Sequence, residues 1–517
     1  MLKKTKRLLI KYNRFIITGL LVALQLVWMT VFYLSAMANN IYITTAIRVV
    51  SLFFIIYILN NKDSPSFKLP WCLLIAIVPF FGILLYYLFG NGNPTRKMRK
   101  KIKEAKYSIP DGYIQALREE SIIATQSIQN ERDRQTDNYL VNSCAMPAFR
   151  NGGLKYFSTG EDMFRDMMPV LRSAEKFIFL EFFIIEESKM WSEILEALLE
   201  RAEKGVDVRI IYDDFGSMAA VPKNYHKTLE KLHKNIRCIK FNQVLPFSYF
   251  SANCRDHRKI AVIDGKYAYT GGLNIADRYI NLTSPYGYWK DGGVRIDGYA
   301  ADSFTLMFSR MWNAFREDKI DTSGIIGIAN NSKYSRGVVH PYCDMPHDRQ
   351  EITENILIDM ITRAKDRIYI FAPYLIIGYE LRIVLCNAAK RGVDVKIITP
   401  GIPDKKIVHR LSRANYRTLM ESGIEIYRYT PGFIHSKVYL TDSDTALVST
   451  ANMDYRSLYL LYECGVYLKD VPEIADIEKD MNHTLGISEK VELDDLDRDG
   501  LFTRLFDSVL RAFETLF

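Results

Sequence analysis

A chain of 517 residues exceeds what one hydrophobic core usually serves, so two soluble domains are expected beyond whatever the amino terminus contributes. Its 48% hydrophobic and 25% charged residues are ordinary for a globular protein, and its seven cysteines include no CxxC pair, which argues against a zinc site or a disulfide framework and for reduced thiols. The net charge of +8 suits a membrane surface, a phosphate ester or nucleic acid and does not choose among them.

The apolar residues of the first ninety positions are concentrated rather than periodic. Phe15 to Met37 and Trp71 to Phe89 are uncharged apolar runs, each long enough at about 1.5 Å per residue to cross about 30 Å of hydrocarbon. Ile41 to Leu59 is also apolar but carries Arg48 near its middle, at a cost of at least about 2.5 kcal/mol at mid-bilayer. The first run is longer than the apolar part of a signal peptide and no small-residue cleavage site follows, so residues 1–92 read as a retained anchor of two or three helices. Lys3, Lys4, Lys6, Arg7, Lys11 and Arg14 precede it. Arg96, Lys97, Arg99, Lys100, Lys101, Lys103 and Lys106 follow it, in a basic juxtamembrane linker over 93–135. The positive-inside bias draws both clusters to the cytoplasm, which three crossings cannot satisfy; the larger cluster favours a multi-pass cell-membrane protein with a cytoplasmic catalytic region. The same cations suit anionic headgroups.

Further along, short β-branched and aromatic runs alternate with helical stretches, which argues for an α/β architecture. A buried strand over Lys176 to Phe183, a helix over Trp191 to Lys204 and a strand over Val206 to Tyr212 recur as Arg367 to Tyr374, Leu381 to Arg391 and Val393 to Ile398. A repeat of roughly 190 residues is too long for a solenoid and reads as a duplicated domain. Gly205 and Gly392 suit the position just past each helix. The expected domains are 136–325 and 346–517; the Ser-, Asn-, Gly- and Asp-rich stretch 318–349 supplies a linker at 326–345. At the carboxyl end Leu501, Phe502, Leu505, Phe506, Val509, Leu510, Phe513 and Leu516 recur at helical spacing, predicting an amphipathic helix packed on the core.

Each half contains His-x-Lys-x4-Asp: His257, Lys259 and Asp264 in the first, His435, Lys437 and Asp442 in the second. Residue frequencies give about 0.04 chance matches per chain, so two matches at corresponding points are a strong signal. On a strand, residues i and i+2 share a face, which lets an imidazole and an ammonium address one phosphate. Gly271-Gly272-Leu273-Asn274 and Ser449-Thr450-Ala451-Asn452 follow at the same offset. Amide, hydroxyl or bare glycine there lets donors close on phosphoryl oxygens, giving Gly272, Asn274, Thr450 and Asn452 as candidate phosphate ligands. Asp291 and Glu463 lie further on and suit fixing a histidine tautomer from behind. A metal site is the rival use of such clusters, but an ammonium two residues from each histidine repels a cation and the spacing is not that of metal ligands.

These motifs, with the stretches His257 to Asn274 and Ala451 to Ser457 and the apolar segment Lys68 to Gly90, resemble the phospholipase D superfamily and, within it, the bacterial cardiolipin synthases. The resemblance covers nearly the whole chain. Two features depart from it: an extra apolar segment precedes the usual pair, and Ser449 stands where the family usually has glycine. The resemblance implies two phospholipase D-type α/β domains, each a mixed sheet flanked by helices, sharing one interfacial active site behind transmembrane helices. It implies His257 as nucleophile and His435 as acid, then base, with Lys259, Lys437, Asn274, Asn452 and Thr450 holding the phosphoryl oxygens. Asp264 and Asp442 complete the catalytic motif in structural or orienting roles. No cofactor or metal is implied. The expected partners are phosphatidylglycerol, as donor and acceptor, and the lipid bilayer. A hydrolytic phospholipase D or another phosphatidyltransferase would carry the same motifs, whereas a nucleic-acid substrate leaves the apolar anchor without purpose and a non-enzymatic lipid binder would be expected to have lost one motif.

Overall fold

The computed structural model describes residue 35 and residues 41–61, 64–90, 95–105, 111–128, 131–144, 146–244, 253–327, 334–346, 350–497 and 501–516. The basic cluster at Lys3 to Arg14 and, apart from Ser35, the apolar run Phe15 to Met37 lie outside the described residues. Two compact units emerge, Met1–Asn91 and Gly92–Phe517.

In the first unit, Ile41–Leu59 is one helix of 19 residues, about 28 Å long, and is the only helix among the described residues long and apolar enough to cross a membrane. The expected crossing Trp71 to Phe89 is not a single span. It is broken into Pro65–Ile77 and Pro79–Phe89, helices of 13 and 11 residues and hence about 20 and 17 Å. Pro79 has no N–H to continue the ladder and turns the preceding Val78 out of helical geometry, at φ −130° and ψ 75°. The chain doubles back so closely that a Cβ on Gly82 would lie 2.5 Å from the Ile75 Cα. Ile58, Trp71 and Ile75 form the small core of this unit.

The second unit is built on two sheets with the same strand order. The first runs Leu154–Phe157, Gly293–Asp297, Tyr267–Gly271, Lys259–Ile263, Phe177–Phe182, Asp207–Asp213, Ile236–Phe241. The second runs Val338–Asp344, Glu463–Lys469, Thr445–Ser449, Val438–Thr441, Arg367–Phe371, Asp394–Pro400, Glu425–Tyr429, with Phe149–Arg150 and Ser488–Lys490 added at its edges. In each sheet the last three strands of the shared order are parallel and the others antiparallel. Phe177 pairs with Asp207 as Arg367 pairs with Asp394, which fixes the equivalence of the halves residue by residue. Phe177–Phe182 is buried at every position, the pattern of a strand covered on both faces. At the ends of the flanking helices Gly205 and Gly392 both take φ +93°, and Val206 N–H and Val393 N–H return to Arg201 O and Ala388 O, closing each helix before its strand.

The helix Ala300–Phe315 is almost wholly buried. One core cluster runs from Phe177, Phe179 and Ile260 of the first sheet through Phe304, Phe308 and Trp312 of this helix to Ile370, Leu440 and Val466 of the second. Each large side chain so buried contributes about 1.5–3 kcal/mol, which is why the duplicated halves form one unit.

Two segments expected to be linkers are ordered elements. Val338–Asp344 is a fully buried strand paired along its length with Glu463–Lys469, although it falls in the stretch read as joining the halves. Its Pro341 lies past the two residues paired with Phe149–Arg150, where the strand has a ladder partner on one side only, a place that tolerates a missing N–H. The basic linker 93–135 holds the helices Arg96–Glu104 and Asp111–Gln126 and the start of Glu131–Cys144. Ile102 is buried beneath the first of these, with its carbonyl accepting from Arg310 of the central helix. The C-terminal helix Leu501–Ala512 packs on Lys406–Met420, where Arg410 pairs with Asp507 and lies over the Phe506 ring.

Candidate active site

Both histidines sit at the ends of short parallel pairings that cross between the halves. Ahead of the Lys259–Ile263 strand, Asp256 bridges to Tyr462 and His257 N–H donates to Tyr462 O at 2.9 Å. The next residue, Glu463, reaches back with Oε1 2.8 Å from His257 Nδ1. Likewise Gly432–Ile434 pairs with Tyr288–Lys290, His435 N–H donates to Lys290 O at 2.7 Å, and Asp291 Oδ2 lies 2.6 Å from His435 Nδ1. Each histidine is therefore oriented by the carboxylate of the opposite half. A carboxylate accepting at Nδ1 holds the proton there and leaves Nε2 free to act on phosphorus or on a leaving alcohol.

Behind the acids a second layer fixes the carboxylates. Thr450 Oγ1 donates to Glu463 Oε2 at 2.5 Å, and Gly292 N–H donates to Asp291 Oδ1 at 2.9 Å. A Cβ at Gly272, the equivalent of Thr450, would meet Asp291 Oδ1 at 2.0 Å, so the glycine is space that the carboxylate fills. Gly272 and Thr450 thus stand against the acids, Gly272 leaving the space that Asp291 fills and Thr450 holding Glu463. Ser449, the departure from glycine, is absorbed by hydrogen bonds with Tyr342 Oη at 2.8 Å and Ala451 N–H at 3.0 Å.

Asp264 and Asp442 likewise do not face the histidines. Asp264 accepts from the backbone N–H groups of Glu175, Lys176 and Phe177, and Asp442 from those of Lys365, Asp366 and Arg367. Each tethers the start of the central strand to the end of the motif strand. With φ near +54° both occupy the left-handed region that an aspartate tolerates. The backbone N–H donors occupy these carboxylates, in keeping with a structural or orienting part in the motif.

The remaining candidates are all buried. Lys259 and Lys437 are buried, each donating to the carbonyl of its own motif histidine. Asn274 Oδ1 accepts from Ile184 N–H at 3.1 Å while its amide donates to Tyr279 Oη at 3.0 Å. Asn452 donates to Ser457 Oγ at 3.3 Å, and its Oδ1 is buried without a hydrogen-bond partner. Phe183 meets the His257 ring edge-on at 4.9 Å between centroids; Trp289 and Tyr279 approach the His435 ring at 5.2 and 5.4 Å.

Burial dominates the electrostatics. It drives His257 far below the usual histidine range, with Lys259 and Lys437 adding to the effect, and His435 down to about 3. It also pushes Lys259 down to about 8 and Lys437 to about 7. The two acids differ. Burial raises Glu463 to about 7 against the pull of Lys259, whereas for Asp291 burial is outweighed by His435 and Lys437 and the carboxyl ends below its usual range. The anionic partner is firmest on the His435 side.

Several supports are invisible to motif reading. Lys290 Nζ is bound by Asp480 at 2.7 Å and by Ser158 O at 2.9 Å, anchoring the segment that carries Asp291. Arg258, inside the first motif, is buried against Glu181 and Asp256. No sequence spacing links 290 to 480; only the neighbouring Asp291 stood out, at one end of the contact.

Comparison with known proteins agrees with this architecture. The family model described as "Cardiolipin synthase, PLD-like domain" matches residues 167–312 and 357–485, and one described as "Phospholipase_D-nuclease N-terminal" matches residues 49–91. An uncharacterized protein of Streptococcus mutans is 37% identical over 88% of this chain and 98% of its own length. A cardiolipin synthase of Halalkalibacterium halodurans is 30% identical over 89% of this chain and 91% of its own. In fold, a phosphatidylserine synthase of Haemophilus influenzae superposes with a TM-score of 0.58 at 17% identity, covering 75% of this chain and all of that one. The N-terminal match and the Ile41–Leu59 helix associate the chain with a membrane. With two phospholipase D-like domains folded around one pair of motifs, the chain belongs to the cardiolipin synthase family of the phospholipase D superfamily and is a phosphatidyltransferase.

Proposed function

We propose that the protein makes cardiolipin from two molecules of phosphatidylglycerol, releasing glycerol, through a phosphatidyl-histidine intermediate. His257 Nε2 attacks the phosphorus of the first lipid, and His435 gives the departing glycerol oxygen its proton. The terminal hydroxyl of the second lipid then loses its proton to His435 and attacks the same phosphorus, freeing His257. Lys259, Lys437 and the amides of Asn274 and Asn452 neutralise the phosphoryl oxygens in both steps.

The observation that carries this reading is the crossed pairing of two buried histidines, each at Nδ1, with the acid of the opposite half. His257, held well below the usual histidine range by burial and facing a carboxyl raised to about 7, is suited to attack as a neutral base. His435, at 2.6 Å from an ionised Asp291, is better placed to carry a proton. A phosphodiester brings negative charge among Lys259, Lys437 and the two rings, offsetting the burial that keeps His435 neutral.

A cytoplasmic position for the catalytic unit is part of the proposal. It is supported by the exposed Arg96, Lys97, Lys100, Lys101 and Lys103 on the Arg96–Glu104 helix. The test is to incubate the purified protein in liposomes of phosphatidylglycerol with EDTA and analyse the products by mass spectrometry. Cardiolipin with matching glycerol is expected; phosphatidic acid would make water the acceptor and the protein a hydrolase. His257→Ala and His435→Ala should each nearly abolish turnover, the double variant being little worse than either.

A further inference from the structure

We propose that Lys405 binds the phosphate of the acceptor phospholipid, and so selects an anionic lipid over water or a neutral alcohol as the group that takes the phosphatidyl unit. The inference rests on the preceding reading, in which one phospholipid receives the phosphatidyl group of another. Such a transfer places a second phosphodiester only a glycerol unit from the reacting one. The buried motif residues are repeated in both halves and are placed around one pair of histidines, suited to the single reacting phosphate. What distinguishes acceptor from donor must come from something not repeated.

Lys405 is such a feature. It is exposed at the head of the Lys406–Met420 helix, past the end of the Asp394–Pro400 strand. The equivalent strand of the first half ends at Asp213 and is followed by Asp214 and the exposed, apolar Phe215. The Lys405 ammonium lies 5.0 Å from the centre of the Tyr374 ring. Tyr374 is held by donating to Asp404 Oδ2 at 2.7 Å, and its ring is 6.2 Å from Phe433, itself 6.0 Å from the His435 ring. The same ammonium is near enough to His257 to oppose its protonation. Lys405 therefore stands at the outer end of a run of rings, Tyr374 and Phe433, that leads to His435, and among the described residues it makes no ion pair: the neighbouring Asp404 is turned to Tyr374. Lys259 and Lys437, in contrast, are fully buried and bound to backbone carbonyls. An exposed cation on an aromatic face that is continuous with the rings around His435 is suited to a second, partly hydrated phosphate.

The experiment follows the partition of the intermediate. The full-length protein is supplied with phosphatidylglycerol in liposomes together with labelled glycerol, which competes as an uncharged acceptor and returns labelled phosphatidylglycerol. Lys405→Gln should lower the ratio of cardiolipin to labelled phosphatidylglycerol by on the order of tenfold, the loss expected for one charge-assisted contact, while glycerol exchange continues. Lys405→Arg should restore most of the ratio, and Lys406→Gln should leave it unchanged. A ratio unaltered in Lys405→Gln, an equal fall in both products, or the same shift in Lys406→Gln would each overturn the assignment. Cardiolipin missing from the products of the parent protein would instead sink the transfer reading, and this proposal with it.

Discussion

Replacing Asp291 by asparagine separates the two histidines by role. The change keeps the shape that accepts Gly292 N–H but removes the charge facing His435 Nδ1 at 2.6 Å. Asp291 is completely buried, so no water replaces the interaction. Losing a hydrogen bond to a charged group costs about 1.5–3 kcal/mol, or roughly 10- to 150-fold in rate. That loss should appear only where His435 must deliver a proton. With a phospholipid donor, whose leaving glycerol oxygen needs one, Asp291→Asn should slow turnover by that factor. With a nitrophenyl phosphodiester, whose leaving group departs as a stable anion, the burst of nitrophenol should be nearly unchanged. Glu463→Gln, acting on His257, should depress both. Stopped-flow absorbance measures the burst, mass spectrometry the lipid products, and thermal melting confirms that the variants fold. If Asp291→Asn slows the nitrophenol burst as much as the lipid reaction, His435 is not the acid; if Glu463→Gln alone spares the burst, the roles are reversed.

Gly272→Ala should cost at least about tenfold in turnover, because a Cβ 2.0 Å from Asp291 Oδ1 must displace the acid; full activity would show that the carboxylate can move without penalty. Thr450→Val removes the hydroxyl donated to Glu463, leaving the carboxyl protonated to higher pH than about 7, so the acidic limb of the rate profile should move upward; an unmoved limb counts against Glu463 as the group that titrates there. Asp264→Asn tolerates the left-handed backbone but weakens three N–H contacts, and should lower stability by about 1–3 kcal/mol while the folded fraction keeps its turnover; loss of turnover with unchanged melting would make the residue catalytic after all. Burial raises Asp213 and Glu354 to about 7 and Asp344 to about 6, so these groups keep a proton in the fold that the unfolded chain has released above about pH 4. The stability they contribute is complete below that pH and is lost as pH rises to 7. A double Asp344→Asn, Glu354→Gln variant should therefore show a flatter dependence of its unfolding midpoint across pH 4–7, and an unchanged slope would refute the argument.

Much of the plan could be read from residues alone because it depends on local periodicity. The buried runs at Phe177 and Arg367, the glycines at 205 and 392 and the two His-x-Lys-x4-Asp motifs are statements about neighbours a few positions apart, and the structure forms strands and helix ends at those places. The break at Val78–Pro79 was also written locally, in the proline; average hydropathy passed over it. The site itself depends on something else. His257 finds Glu463 and His435 finds Asp291 only because the two sheets, identical in order, pack about the Ala300–Phe315 helix and bring each motif beside the other half's acid strand. That pairing spans 206 residues in one case and 144 in the other. The contacts of Gly272 with Asp291 and of Thr450 with Glu463 depend likewise on packing, since which face of a loop meets a neighbour is not written in its spacing. The sequence by itself determined the chemical groups and the elements that bear them. Tertiary structure decided which acid serves which histidine, because only packing brings groups so distant in the chain into hydrogen-bond range.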